Sequence, residues 1–156
     1  IALIYEGTNH IQALDLVGRK LPMHDGRLMK TFAREVHAVL ERARGHEETS
    51  AFADALQDGL KLLIEATEQL RERAAQDREE IGAAASNYLH LFGLVACAYS
   101  WVRQTAHAVE SGADNAAAKV KTARYFFELV YPEVHGVVAT LRAGKAPMMD
   151  FAVDEL

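Results

Sequence analysis

The sequence predicts an all-α fold, an antiparallel bundle of about four long helices preceded by a shorter one. Three observations predict it. Apolar residues recur three and four apart over most of the chain, the spacing of one helical face. Nowhere do β-branched residues alternate with polar ones at the period of two that marks a half-buried strand. Three prolines and ten glycines in 156 residues leave little room for irregular segments.

The elements follow in order. Ile1-Ala2-Leu3-Ile4-Tyr5 is an extended apolar lead that passes through Glu6-Gly7 into a short helix. Thr8 is placed to cap that helix, and Ile11, Leu14 and Val17 mark its apolar face. Leu28, Phe32, Val36, Val39, Leu40 and Ala43 define the first long helix, with Gly45 as a left-handed exit. The second carries Phe52, Leu56, Leu60, Leu63, Ala66 and Leu70 on one side, and Lys61, Glu65, Glu68, Arg71 and Glu72 on the other. Asp77-Arg78-Glu79-Glu80 reads as a capping box, with Asp77 accepting from the N–H three residues on and Glu80 reaching back. The third helix runs through Tyr88, Leu91, Leu94, Val95, Ala98, Val102 and Ala106 to Val109, where Gly112 closes it and Asp114 caps the next. The last has Val120, Ala123, Phe127, Val130, Val134, Val137 and Leu141 on its seam. Pro132 lacks an N–H and crowds the preceding turn, which predicts a kink near Val130. Gly144 and Pro147 end this helix. In the tail, Met148, Met149 and Phe151 are expected to dock on the bundle or on another subunit.

Composition narrows the function. A formal charge of −5 disfavours non-specific binding to nucleic acid or to an anionic membrane surface. The single cysteine, Cys97, cannot staple a fold and is expected to be a small buried apolar residue. With no basic n-region in view, the expected location is cytoplasmic, and a start inside a motif reads as a piece of a longer protein. The apolar run from Ala83 to Val102 is of spanning length. Asn87, His90, Ser100 and Arg103 favour instead a central helix buried on most sides, with no membrane span. Seven histidines are scattered without a His-Glu-x-x-His signature, so no metal site is expected, and His90 reads as a hydrogen-bonded core residue. Arg71, Arg73 and Arg78 interleave with Glu72, Glu79 and Glu80 as a solvated face. Tyr99 and Trp101 read as packing residues. Arg19 and Lys20 suit a helix C-terminus better than a phosphate clamp.

Glu6 is the residue with chemistry in its surroundings. It follows an apolar lead and precedes a helix start, where partial desolvation raises a carboxyl pKa and backbone N–H groups suit an anion. Extended-Glu-Gly-Thr-helix is also an ordinary way to begin a helix, so residues alone leave both readings open.

The wider motif is more specific. Ile4-Tyr5-Glu6-Gly7-Thr8-Asn9, followed by Ile11-Gln12, resembles the catalytic segment near the end of the acyl-CoA dehydrogenase family. Leu14-Asp15-Leu16-Val17-Gly18-Arg19-Lys20-Leu21-Pro22 resembles a bacterial branch with an extra C-terminal helical domain. Thr122-Ala123-Arg124-Tyr125-Phe126-Phe127, then Pro132-Glu133 and Leu141-Arg142-Ala143-Gly144, resemble that extra domain.

The resemblance implies a set of roles. Glu6 would be the catalytic base that removes the pro-R α-proton of an acyl-CoA thioester, while the β-hydride passes to FAD and a trans-2-enoyl-CoA is left. Thr8, Asn9 and His10 match a stretch that contacts FAD, although many relatives carry Gln where His10 stands. Tyr5 and Gly7 would line the substrate pocket. An electron-transfer flavoprotein is the implied redox partner and a homo-oligomer the implied assembly. Residues 1–23 would end the catalytic domain, 24–144 form the extra bundle and 145–156 a tail. The bundle would be structural or oligomerising, and the chain alone would neither hold FAD nor turn over substrate. The competing reading is a free-standing helical protein-interaction module without catalysis.

Overall fold

A computed structural model of the chain describes residues 8–155. The apolar lead expected before Gly7 lies outside the described residues. Among those described there is no strand. Helix α1 (Asn9–Asp15) continues into a π-helical segment, Leu16–Lys20. The bundle follows as α2 (Arg27–Ala43), α3 (Glu47–Gln76), α4 (Glu79–Glu110) and α5 (Ala116–Tyr125). A second π-helical segment, Phe126–Val130, leads to α6 (Glu133–Ala143), a short α7 (Ala146–Met149) and a 3-10 turn, Val153–Glu155.

Short turns after α2 and α3 place neighbouring helices antiparallel. Ion pairs at the helix ends show the same pairing. Arg42, near the end of α2, lies 2.5 Å from Glu110 at the end of α4. At the opposite pole Arg73 of α3 donates to the Leu141 carbonyl of α6 at 2.8 Å. Thus α2 and α4 run one way, and α3 and the α5–α6 pair run the other. Helix α4 is central, packing against α1, α2, α3, α5 and α6.

The apolar spacing of α3 maps directly onto the core: Phe52, Leu56, Leu60, Leu63, Ala66 and Leu70 are all buried. Each large side chain buried in this way is worth about 1.5–3 kcal/mol. Tyr88, Leu91, Val95, Ala98 and Val102 of α4 meet them from the other side. Tyr88 is fully buried and its hydroxyl lies 2.6 Å from Thr67 Oγ1, which donates on to the Leu63 carbonyl or shares its proton with the phenol. Burial pushes the Tyr88 phenol up to about 12, with the Thr67 bond opposing. Gly59 makes a notch in α3. A Cβ there would stand 1.8 Å from Tyr131 Oη, so only glycine admits the ring. Tyr131 is 4% exposed, its hydroxyl has no hydrogen-bond partner among the described residues, and burial raises its pKa, with the nearby Asp58 charge adding to the shift. Phe127 holds the ring edge-on at 5.3 Å and stacks on Phe52 at 4.9 Å.

Several expectations are corrected. In α2 the core position belongs to Met29, while Leu28 is exposed, because Met29 lies two turns before Val36 on the face that Val36, Leu40 and Ala43 bury. Gly45 is not left-handed; its N–H turns back to the Arg42 carbonyl at 3.2 Å. The capping box is half formed. Asp77 accepts from the Glu79 N–H at 3.0 Å, two residues on rather than three. Glu80 does not reach back, because groups distant in sequence claim its carboxylate: the Arg73 guanidinium at 3.2 Å, and the Lys145 backbone N–H, which donates to it at 3.3 Å. Asp114 does not cap α5, which starts after Asn115.

The kink at Pro132 is present and takes a definite form. The Tyr131 N–H bonds to the Phe126 carbonyl five residues back at 2.8 Å, opening the helix into a π turn before proline, which has no N–H to give. Gly112 and Gly144 close α4 and α6 with positive φ, as read from the sequence.

Helix α4 differs most from expectation. Over its most apolar stretch, 39% of the residues are buried, so it is central without being surrounded. His90 is exposed and faces Glu133 at 3.7 Å, and Cys97 is exposed as well. By length and composition this one helix among the described residues is long and apolar enough to cross a membrane. Here its apolar side packs against five helices. Tyr99 and Trp101 pack against the core, Tyr99 edge-on to Phe32 at 5.9 Å. In the tail Met148, Met149 and Phe151 remain more than half exposed, although Met148 borders a cleft with Ala84 of α4 and Leu141 of α6.

Candidate functional site

The segment that follows Glu6 is positioned by the bundle. Tyr5, Glu6 and Gly7 themselves lie outside the described residues, and the description opens at Thr8. Thr8 occupies the N-cap position of α1 with helical backbone angles, and its side chain makes no capping bond. Its carbonyl accepts from the Gln12 N–H at 2.8 Å. Asn9 and His10 form the first turn and are exposed. Thr8, Asn9 and His10 are therefore together at the start of α1.

Two features fix α1 on α4. Ala13 is fully buried and Val17, in the π turn, is nearly so; both belong to the same core as the bundle. The small Ala13 lets α1 lie close against its neighbour. At the first turn, His10 Nδ1 lies 2.6 Å from Ser86 Oγ on α4, either group being able to donate according to the imidazole tautomer. Ile11 and Leu14, expected in the buried face, are 62% and 42% exposed. The correction has a geometric cause. Ala13 and Val17 take the inward face of α1, and residues 11 and 14 lie on the opposite side.

At the other end of this segment, Asp15 gathers both neighbouring cations. Arg19 donates to its two oxygens at 2.5 and 2.8 Å, and Lys20 lies 3.2 Å away. Arg19 first, and Lys20 with it, hold the Asp15 carboxyl down at about 2. The pair thus complements a helix end and an aspartate, as the sequence favoured over a phosphate clamp.

A groove of about 640 Å³ opens beyond this end, with Val17, Gly18, Met29, Ile64, Leu70 and Ile81 on its walls. Rim charges pair with each other, Lys30 with Asp25 at 3.3 Å and Arg71 with Glu68 at 2.7 Å. The groove is a shape at the far end of the lead segment from Thr8 and His10. The residues of α1 carry the candidate chemistry. Among the described residues, no group of three or more His, Cys, Asp and Glu is placed to hold a metal ion.

Sequence reasoning missed Ser86. Its signal was a small polar residue on the outer face of an apolar helix, visible only once α1 is known to lie there.

The fold is a helical bundle with a lead helix packed on it, and comparison with known proteins gives its family. Residues 32–152 match the family described as "Acetyl-CoA dehydrogenase C-terminal like", and the chain belongs to that family. It is also 31% identical, over 136 residues, to the 3-methylmercaptopropionyl-CoA dehydrogenase of Ruegeria pomeroyi. That alignment covers 83% of this chain and 23% of the relative, so the chain spans about a quarter of the length of the curated protein it matches.

Proposed function

We propose that this chain is the C-terminal part of a FAD-dependent acyl-CoA dehydrogenase, contributing the catalytic base Glu6 and a helical bundle that holds the base segment in place. The observation that carries the reading is the junction. The motif Tyr5-Glu6-Gly7-Thr8-Asn9 runs without interruption into a helix anchored on a bundle of the dehydrogenase C-terminal family.

The chemistry assigned to the chain's own residues is proton transfer. The α-proton of a thioester is weakly acidic, and a carboxylate is matched to it when burial raises the pKa of the base. Glu6 takes that proton onto a carboxylate oxygen. FAD, when bound, supplies the two-electron acceptor for the β-hydride. Residues at the start of α1 fit contact with a flavin nucleotide chemically. Thr8 has a hydroxyl without a capping bond, and the second ring nitrogen of His10 has no hydrogen-bond partner among the described residues. Tyr5 and Gly7 would border the acyl thioester. The exposed Ile11 and Leu14 of α1 are apolar surface of the kind the flavin-holding part of the protein would cover. An acyl-CoA thioester is thus the substrate, an electron-transfer flavoprotein the electron acceptor, and a homo-oligomer in the cytoplasm the assembly.

The test is Glu6→Gln in the full-length enzyme. FAD content should match wild type, and exchange of the substrate α-proton with deuterated water should cease. Retained α-proton exchange would remove Glu6 from the role of base.

A further inference from the structure

The hydrogen bond between His10 and Ser86 joins two parts of the chain that otherwise have separate purposes. His10 stands four residues after Glu6, on the first turn of α1. Ser86 belongs to α4, the 32-residue helix at the centre of the bundle, and is flanked there by the buried Ala85 and Tyr88. Ala13 and Val17 seat the rear of the lead segment in the core. They lie one and two turns beyond His10, so they leave the first turn, the one nearest the base, without an apolar anchor. The 2.6 Å contact from His10 Nδ1 to Ser86 Oγ holds that turn to a rigid element. The contact persists in either tautomer of the ring, because the hydroxyl both donates and accepts.

We propose that Ser86 is a positioning residue for the proton-transfer step, acting through His10 to set the placement of the Glu6 segment. The inference rests on the reading of Glu6 as base given above. It gives the extra bundle a part in turnover through a side chain that touches neither substrate nor flavin. Displacing a base by a fraction of an ångström to about 1 Å costs up to about a hundredfold in rate. Loss of one exposed hydrogen bond, with Ala13 and Val17 still seated, belongs at the low end of that range.

The experiment uses the full-length holoenzyme with a panel of saturated thioesters from butyryl-CoA to palmitoyl-CoA, the best substrate being carried through. Ser86→Ala should lower kcat by about three- to tenfold, with KM and FAD content unchanged. Ser86→Thr, which keeps the hydroxyl, should restore kcat. In a His10→Ala background, Ser86→Ala should cost nothing further, since the two residues act through one bond. Amide exchange across Asn9–Asp15 should quicken in Ser86→Ala and not in Ser86→Thr. Wild-type kcat in Ser86→Ala, or a loss that adds fully to that of His10→Ala, overturns the proposal. If Glu6→Gln retains α-proton exchange, the reading of the base fails instead. The amide exchange of α1 then still decides whether Ser86 holds the helix, and unchanged exchange in Ser86→Ala overturns that part too.

Discussion

At the residue scale, the buried tyrosines have definite consequences. Tyr131 needs the notch at Gly59, where a methyl group would meet its hydroxyl oxygen at 1.8 Å. Gly59→Ala should therefore destabilise the chain by about 1–3 kcal/mol, the range for overpacking a core, and urea unfolding of the variant beside wild type measures it. Tyr88 gives a pH dependence. Its pKa is raised in the folded state, so its contribution is complete below the unfolded value and is lost as pH climbs through the folded one. The unfolded phenol ionises near about 10, while the folded one holds its proton to about 12. Stability should fall across that window, and Tyr88→Phe should flatten the fall in urea midpoints recorded along it. An equal slope in both proteins would contradict the assignment.

At the scale of elements, the bundle is tied at one pole by charges drawn from three helices. Arg73 of α3 caps the Leu141 carbonyl of α6 and faces Glu80 of α4 at 3.2 Å, without the alignment of a directed hydrogen bond. Lys145 joins Asp77 and Glu79 across the same seam, and their hydrogen bonds raise its pKa while Lys145 lowers that of Asp77. Glu80 is 12% exposed at its side chain, so removal of its cation leaves a largely buried charge. Arg73→Met should lower stability by about 1–3 kcal/mol, less than for a fully buried pair because Arg73 retains some solvent, and thermal unfolding checks this. These contacts also mark where sequence reading succeeds and where it stops. The core stripe of α3 was legible because its neighbours cover one side and leave the other to solvent, and its six apolar positions are all buried. The break at Pro132 was legible because proline removes a donor wherever it falls. The role of Glu80 was not. Local spacing fitted a capping box, and the groups that displace it are the Arg73 guanidinium and the Lys145 backbone N–H. The outer face of α4 was hidden for a related reason. Apolar composition says how much a helix can bury, while His90, Gly93, Cys97 and Ser100 are left outside by the placement of its neighbours. Ser86 is another case of the same limit, since its partner His10 lies 76 residues away.

At the scale of the whole molecule, α1 and the bundle form one packed body. Ala13 and Val17 lie in the same core as α2, α3 and α4, so the bundle cannot shift without moving the start of α1. A turn at 21–26 separates this lead segment from α2. The proposed delivery of Glu6 to an acyl-CoA thioester is tested by anaerobic reduction of bound flavin by substrate in a single turnover, followed by flavin absorbance, in full-length wild type and Glu6→Gln. Glu6→Gln is expected to bind FAD and substrate yet to bleach the flavin at least about a thousandfold more slowly, within the range for loss of a general base. Flavin reduction by Glu6→Gln at the wild-type rate would contradict it.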